Sequence, residues 1–260
     1  MNSRANEISA GNILLLPWRI KNDGVHVTLT LQRNFRIFFL EFSRHPLQVV
    51  LINVLSFLPA ALLGYLIGSI PTAYLIVKWK SKIDIRHAGS GNVGTLNSFE
   101  VTRSKFVGIT VLVLDLFKGV LAVLLGRSIF GGDFVAVSAC GISVVLGHNF
   151  PIWLGFKGGR GLAPAAGVML MLGWVLVAVW GLGWGLGFSI LRRVNIGNII
   201  ATILLMVFVV VAPGSLLGNI VAADATTTDF KYFTVLFLMA ILLKHIDPLK
   251  EYIKEKRQHH

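Results

Sequence analysis

The chain has 260 residues, of which 55% are apolar or aromatic, only 14% are charged and 27 are glycine. A soluble domain carries about a quarter charged residues, so a mean hydropathy of +0.74 excludes disorder and argues against a water-soluble enzyme. Lys and Arg number 24 against 12 acidic residues, a formal charge of +12. With the apolar residues gathered in long runs, that excess reads as basic loops against an anionic membrane face, with no nucleic-acid partner expected. The single Cys140 sits in an apolar run and supports no disulfide framework.

In chain order, residues 1–46 form a basic N-terminal extension with six cations (Arg4, Arg19, Lys21, Arg33, Arg36 and Arg44) and no spanning run. Its stretch 35–40, aromatic with one Arg, has the composition of an interfacial segment. Residues 47–260 read as a single polytopic domain. The first span, 47–70, is nearly uncharged and long enough for a hydrocarbon core of about 30 Å. A polar loop is expected over 78–105, spans over 106–125 and 134–146, and a short loop over 148–161. An apolar stretch at 162–190, spans at 196–211 and 230–243, and a basic tail complete the chain.

Cations fix the sidedness. They gather after the first span (Lys78, Lys80, Lys82, Arg86, Arg103, Lys105), after the third (Lys157, Arg160), at Arg192 and Arg193, and in the tail from Lys244 to Arg257. The positive-inside rule puts all four segments on the cytoplasmic side. Keeping Lys157 and Arg192 both inside requires an even number of crossings between them. A short or broken helix around 163–172, followed by a full one, provides that. The expected fold is an all-α integral membrane protein of about seven transmembrane helices with its N-terminus outside.

Two loops could carry chemistry. Gly89, Gly91 and Gly94 satisfy G-x-G-x-x-G, but a membrane span precedes them instead of a β-strand, so a dinucleotide fold is rejected. What remains is a loop whose backbone N–H groups can approach an anion, with Ser90 and Asn92 adding side-chain donors. The second loop ends in Lys157-Gly158-Gly159-Arg160-Gly161 at the start of a helix. Two cations and backbone donors there have the composition of a phosphate site, although it does not meet the Walker pattern. Asp115 and Lys118, one turn apart inside a span, are expected to pair. Gly181, Gly183, Gly185 and Gly187 favour close helix packing. There is no G-x-S-x-G, H-E-x-x-H or cysteine cluster, so a serine-hydrolase elbow and a zinc site are unsupported.

The motifs Gly68-Ser-Ile-Pro-Thr-Ala-Tyr74, Asp84-Ile-Arg86, Gly89-Ser-Gly-Asn-Val-Gly94, Leu114-Asp-Leu-Phe-Lys-Gly119 and Gly147-His-Asn-Phe-Pro151 followed by Phe156-Lys-Gly-Gly-Arg-Gly161 together resemble the bacterial acyl-phosphate:glycerol-3-phosphate acyltransferases (PlsY). The resemblance runs from about residue 60 to 257. It implies a seven-helix enzyme of phospholipid biosynthesis in the bacterial inner membrane, with its site on the cytoplasmic face. The implied reaction moves an acyl group from acyl phosphate to the 1-hydroxyl of glycerol 3-phosphate, giving lysophosphatidic acid and phosphate without cofactor or metal. It implies catalytic roles for Ser90 and His245. Substrate binding falls to Gly89, Gly91, Asn92, Gly94, Asn97, Lys157, Gly158, Gly159, Arg160 and Gly161. Where the family has an arginine this chain has Glu100, and Arg103 is the nearest substitute. Arg160 stands for a lysine and Pro248 for an asparagine. The alternative expectation is a diverged, non-enzymatic membrane protein that binds or moves a phosphorylated metabolite or lipid.

Overall fold

The computed structural model describes residues 58–221 and 225–258. The basic extension and the start of the first span lie outside the described residues. Among those described, every regular element is helical. The first span is interrupted: α1 (Leu58–Ser69) and α2 (Thr72–Ser81) are separated at Ile70-Pro71. The carbonyl of Ile70, just before the break, instead accepts a hydrogen bond from Lys118 Nζ at 2.5 Å.

The predicted polar loop is more ordered than its composition suggests. It holds a 3₁₀ turn at Ile85–His87 and an eight-residue helix, α3 (Thr95–Thr102). Then come α4 (Lys105–Ile129), α5 (Phe134–Asn149), a 3₁₀ turn at Ile152–Leu154, and α6 (Leu162–Leu191). The rest is α7 (Val194–Val211), the short α8 (Gly214–Gly218), α9 (Thr227–Leu243) and α10 (Ile246–Gln258).

Five helical segments among the described residues are long and apolar enough to cross a membrane. A sixth counts if α9 and α10, bent by 53°, are taken together. The expected seven is reached only by counting α6 as two and α9 by itself. α6 is two helices that meet across a kink at Gly173 (φ −175°, ψ 71°), so a short helix precedes a longer one, as the sequence predicts around 163–172. The tip of the Phe230 ring occupies that spot, 3.1 Å from where a β-carbon would stand.

In lipid the hydrophobic effect does not hold helices together, so close backbone packing must. At the α1–α5 crossing a β-carbon on Gly68 would lie 2.0 Å from the Val144 carbonyl oxygen. At α4–α6 one on Gly167 would lie 2.0 Å from that of Leu116. Of the predicted Gly181–Gly187 stripe, Gly183 and Gly187 face α7, while Gly181 and Gly185 meet nothing.

Tertiary contacts bring all four basic segments to one end of the bundle. Val93 O lies beside Gly159. Arg160 bonds Asn195 and Arg193 bonds Glu255, and Lys244 lies over the Phe150 ring at 4.5 Å. Trp79, Phe106, Trp153 and Phe156, all turned outward, flank this end, as aromatic residues do at a membrane interface.

Candidate active site

At this end a cleft of about 380 Å³ opens among α3, α4, α5, α6 and α7. Three helices start at its wall: α3 at Gly94–Thr95–Leu96, α6 at Gly161–Leu162–Ala163, and α7 at Val194–Asn195. None of the three has a side-chain cap. Away from these starts, Ser104, Asp133 and Thr226 cap α4, α5 and α9, while α2 and α8 follow Pro71 and Pro213 without a side-chain cap. The first N–H groups of a helix need partners and sit at the positive end of its dipole, so three uncapped starts around one cleft favour an anion.

Arg160 is the cation on this wall. Its Nη1 donates to Asn195 Oδ1 at 2.6 Å. Burial pulls the Arg160 pKa below its ordinary value, against the raising influence of the Glu251 and Glu100 carboxylates. A guanidinium stays charged regardless. Behind the cleft, Asp115 accepts from Thr72 Oγ1 and, at 2.8 Å, from Lys118 Nζ. The His148 ring approaches the same oxygen at 3.6 Å. The expected Asp115–Lys118 pair is therefore present, and it ties α4 to the α1–α2 break while presenting Asp115 and His148 to the cleft.

A smaller apolar groove of about 120 Å³, lined by Ala165, Met169, Leu205, Phe237 and neighbours, adjoins the cleft. Leu162 and Trp180 belong to both walls. Thr202 Oγ1 accepts from Trp180 Nε1 at 3.1 Å and so fixes the ring that divides them.

The predicted site residues separate on this geometry. Asn92, Gly94, Arg160 and Gly161 line the cleft. Gly89 and Gly91 adopt positive φ (59° and 69°) and shape the loop above it, with Ser90 exposed at its crest. Asn97 is buried and faces inward: it accepts from the Ser90 N–H and donates to the carbonyls of Ile85, Ala88 and Asn92. Its amide holds the loop and leaves nothing for a ligand.

The sequence predicts free donors at Gly158 and Gly159, but their N–H groups bond the Asn149 and His148 carbonyls. Their role is to seat the loop on α5. Lys157 is exposed and off the cleft wall. Arg103 is not on the cleft wall. It terminates α3 in the left-handed region, about 12 Å of helix from the end that faces the cleft. His245 is buried, with Nδ1 donating to Ile241 O at 2.9 Å and Nε2 unpartnered. Burial lowers its pKa, and the nearby Arg160 charge adds to that. Its carbonyl contact therefore leaves Nε2 as an acceptor. His148, Asn195, Asn198, Thr95, Leu96, Trp180 and Trp184 line the cleft without having been predicted. A helix start just after Arg192-Arg193 is the signal that could have found Asn195.

The model of the glycerol-3-phosphate acyltransferase family matches residues 58–255. The chain is similar to the glycerol-3-phosphate acyltransferase of Thermotoga petrophila, 42% identical over 140 residues, which covers 54% of this chain and 70% of that one. The acyltransferase of Parasynechococcus marenigrum is 37% identical over 177 residues, 68% of this chain and 82% of that one. Among solved structures, the glycerol 3-phosphate form of PlsY, an integral membrane glycerol 3-phosphate acyltransferase, aligns with a TM-score of 0.64. It is 29% identical, over 77% of this chain and 93% of PlsY. The lysophosphatidic acid form aligns with a TM-score of 0.63. With a family match spanning nearly the whole described bundle, the chain belongs to the glycerol-3-phosphate acyltransferase family.

Proposed function

We propose that the protein transfers an acyl group from acyl phosphate to the 1-hydroxyl of glycerol 3-phosphate, releasing lysophosphatidic acid and phosphate, at the cytoplasmic face of a bacterial inner membrane. The observation that carries this reading is the common wall of Leu162 and Trp180. On one side lies a cleft suited to phosphate dianions, on the other a groove suited to an acyl chain. A substrate with a phosphate head and a fatty tail fits across that wall with its carbonyl near the divide. The four basic segments at one end support the cytoplasmic assignment.

Both reactants are anionic, so bringing them together is the main barrier the protein must lower. Arg160 and the N–H groups of α3, α6 and α7 gather the phosphates. Ser90, on the loop above the cleft, orients the reacting groups, and the buried His245 acts from behind Arg160, so positioning and electrostatic stabilisation carry most of the rate. The 1-hydroxyl oxygen bonds the carbonyl carbon, the bond from that carbon to the phosphate oxygen breaks, and the hydroxyl proton ends on the departing phosphate. The mixed anhydride is already activated, so no acyl-enzyme is required.

The test is purified protein in detergent with palmitoyl phosphate and glycerol 3-phosphate. Phosphate release that requires glycerol 3-phosphate and is lost in Ser90→Ala is the expected result. Tight binding without turnover would replace this reading with a non-enzymatic phosphate- or lipid-binding protein.

A further inference from the structure

We propose that Asn195 is a phosphate-positioning residue, acting through Arg160 as the second half of one recognition unit. The inference rests on the reading that the cleft holds a phosphate monoester, and it adds the residue that sets how the cation meets it. A guanidinium is a planar fork of five donors, so its usefulness depends on its orientation. Arg160 leaves a glycine-rich turn, which does not fix a long side chain. The contact that fixes it is the 2.6 Å hydrogen bond from Nη1 to Asn195 Oδ1.

Because Arg can only donate, the amide must turn its oxygen toward it. Its nitrogen is then left as a donor with no protein acceptor among the described residues. Asn195 also lies in the first turn of α7, so its backbone N–H belongs to an uncapped helix start. One residue thus aims the guanidinium and adds donors beside it.

The choice of an amide has a further consequence. Glu100 and Glu251 already act on Arg160 electrostatically. A neutral oxygen holds the guanidinium without cancelling more of its charge, whereas a carboxylate at 195 would compete with phosphate for it. The two possible roles of Asn195 therefore predict opposite outcomes for Asn195→Asp. An acidic residue in a helix first turn stabilises the helix, so a purely structural position would accept Asp. A phosphate-positioning residue would not.

The experiment compares wild type, N195A, N195D, R160K and the R160K/N195A double variant in detergent. KM for glycerol 3-phosphate and KM for palmitoyl phosphate are measured separately, together with Tm. N195A is expected to raise one KM about tenfold, the worth of one charge-assisted hydrogen bond, with kcat changed less than twofold. The substrate whose KM moves identifies the phosphate held there. N195D is expected to raise that KM further at a Tm no lower than wild type. In the R160K background, N195A is expected to add less than twofold.

Both KM values within twofold of wild type in N195A and N195D, or losses that multiply in the double variant, would overturn the proposal. Should wild type show no turnover, the acyltransferase reading fails. Calorimetric titration of the same variants with orthophosphate then decides this one: weaker binding in N195A and N195D sustains it, and unchanged binding ends it.

Discussion

The Asn97 side-chain oxygen accepts the Ser90 N–H at 3.0 Å, while its nitrogen reaches three carbonyls of the same loop. A single buried amide thereby sets the place of an exposed serine seven residues away. Asn97→Ala should leave several loop groups unpaired, at about 1–3 kcal/mol for each that stays buried. We expect faster amide exchange across residues 85–97 and a loss of turnover of at least tenfold. Adding Ser90→Ala to Asn97→Ala should cost little more, because the first change has already displaced the serine. Independent, multiplying losses would show that the loop does not depend on Asn97.

Gly159 is the tightest point between the two loops. A β-carbon there would lie 2.1 Å from His148 Nε2 and 2.7 Å from Val93 O. Gly159→Ala must push the 157–161 turn away from α5 and from the Ser90 loop at once, at about 1–3 kcal/mol. The expected result is a lower Tm together with reduced activity. Gly155→Ala is the control, since open space surrounds that position, although its positive φ carries a small strain of its own. Equal effects at 155 and 159 would refute the contact.

Arg103 and Arg160 should differ sharply. Arg103→Ala, at the far end of α3, is expected to leave both KM values within about twofold of wild type. Arg160→Ala removes the cation from the cleft wall and should raise a substrate KM by about 10- to 100-fold, as for a charged hydrogen bond of about 1.5–3 kcal/mol. Steady-state kinetics with each substrate varied in turn will tell them apart.

His245 gives the fold a pH dependence of known sign. Burial lowers its folded-state pKa from the ordinary 6.5, so between that value and the lowered one the unfolded chain binds more protons. Stability therefore falls as pH drops below about 6.5 and is unaffected by this group above it. Tm recorded from pH 8 to pH 5 should decline below 6.5 in wild type and decline less in His245→Gln. Parallel curves would remove His245 as the cause.

The spans were legible because a bilayer forces long apolar runs, and the Asp115–Lys118 pair was legible because neither charge is tolerable alone in that medium. The gathering of basic segments followed from the same physics. What composition could not reveal was how each glycine is used. The Gly158 and Gly159 N–H groups look identical to that of Gly161 in sequence, yet the first two bond α5 carbonyls and the third starts a helix at the cleft. Likewise, a cation eight residues after Thr95 reads as nearby along the chain, but a helix carries Arg103 away from the cleft. Asn195 escaped notice because its meaning lies in a contact 35 residues distant in sequence. The break in α6 was legible from sidedness alone: Lys157 and Arg192 on one side demand it, and the dihedrals leave the helical region at Gly173, where two helices meet across a kink.

Three helices that begin bare at one hollow leave the empty protein below its attainable stability, since a single missing cap costs about 0.5–2 kcal/mol. The resting molecule should therefore be softest where it does its work. Millimolar orthophosphate should harden it, through the ordinary linkage between occupancy and folding.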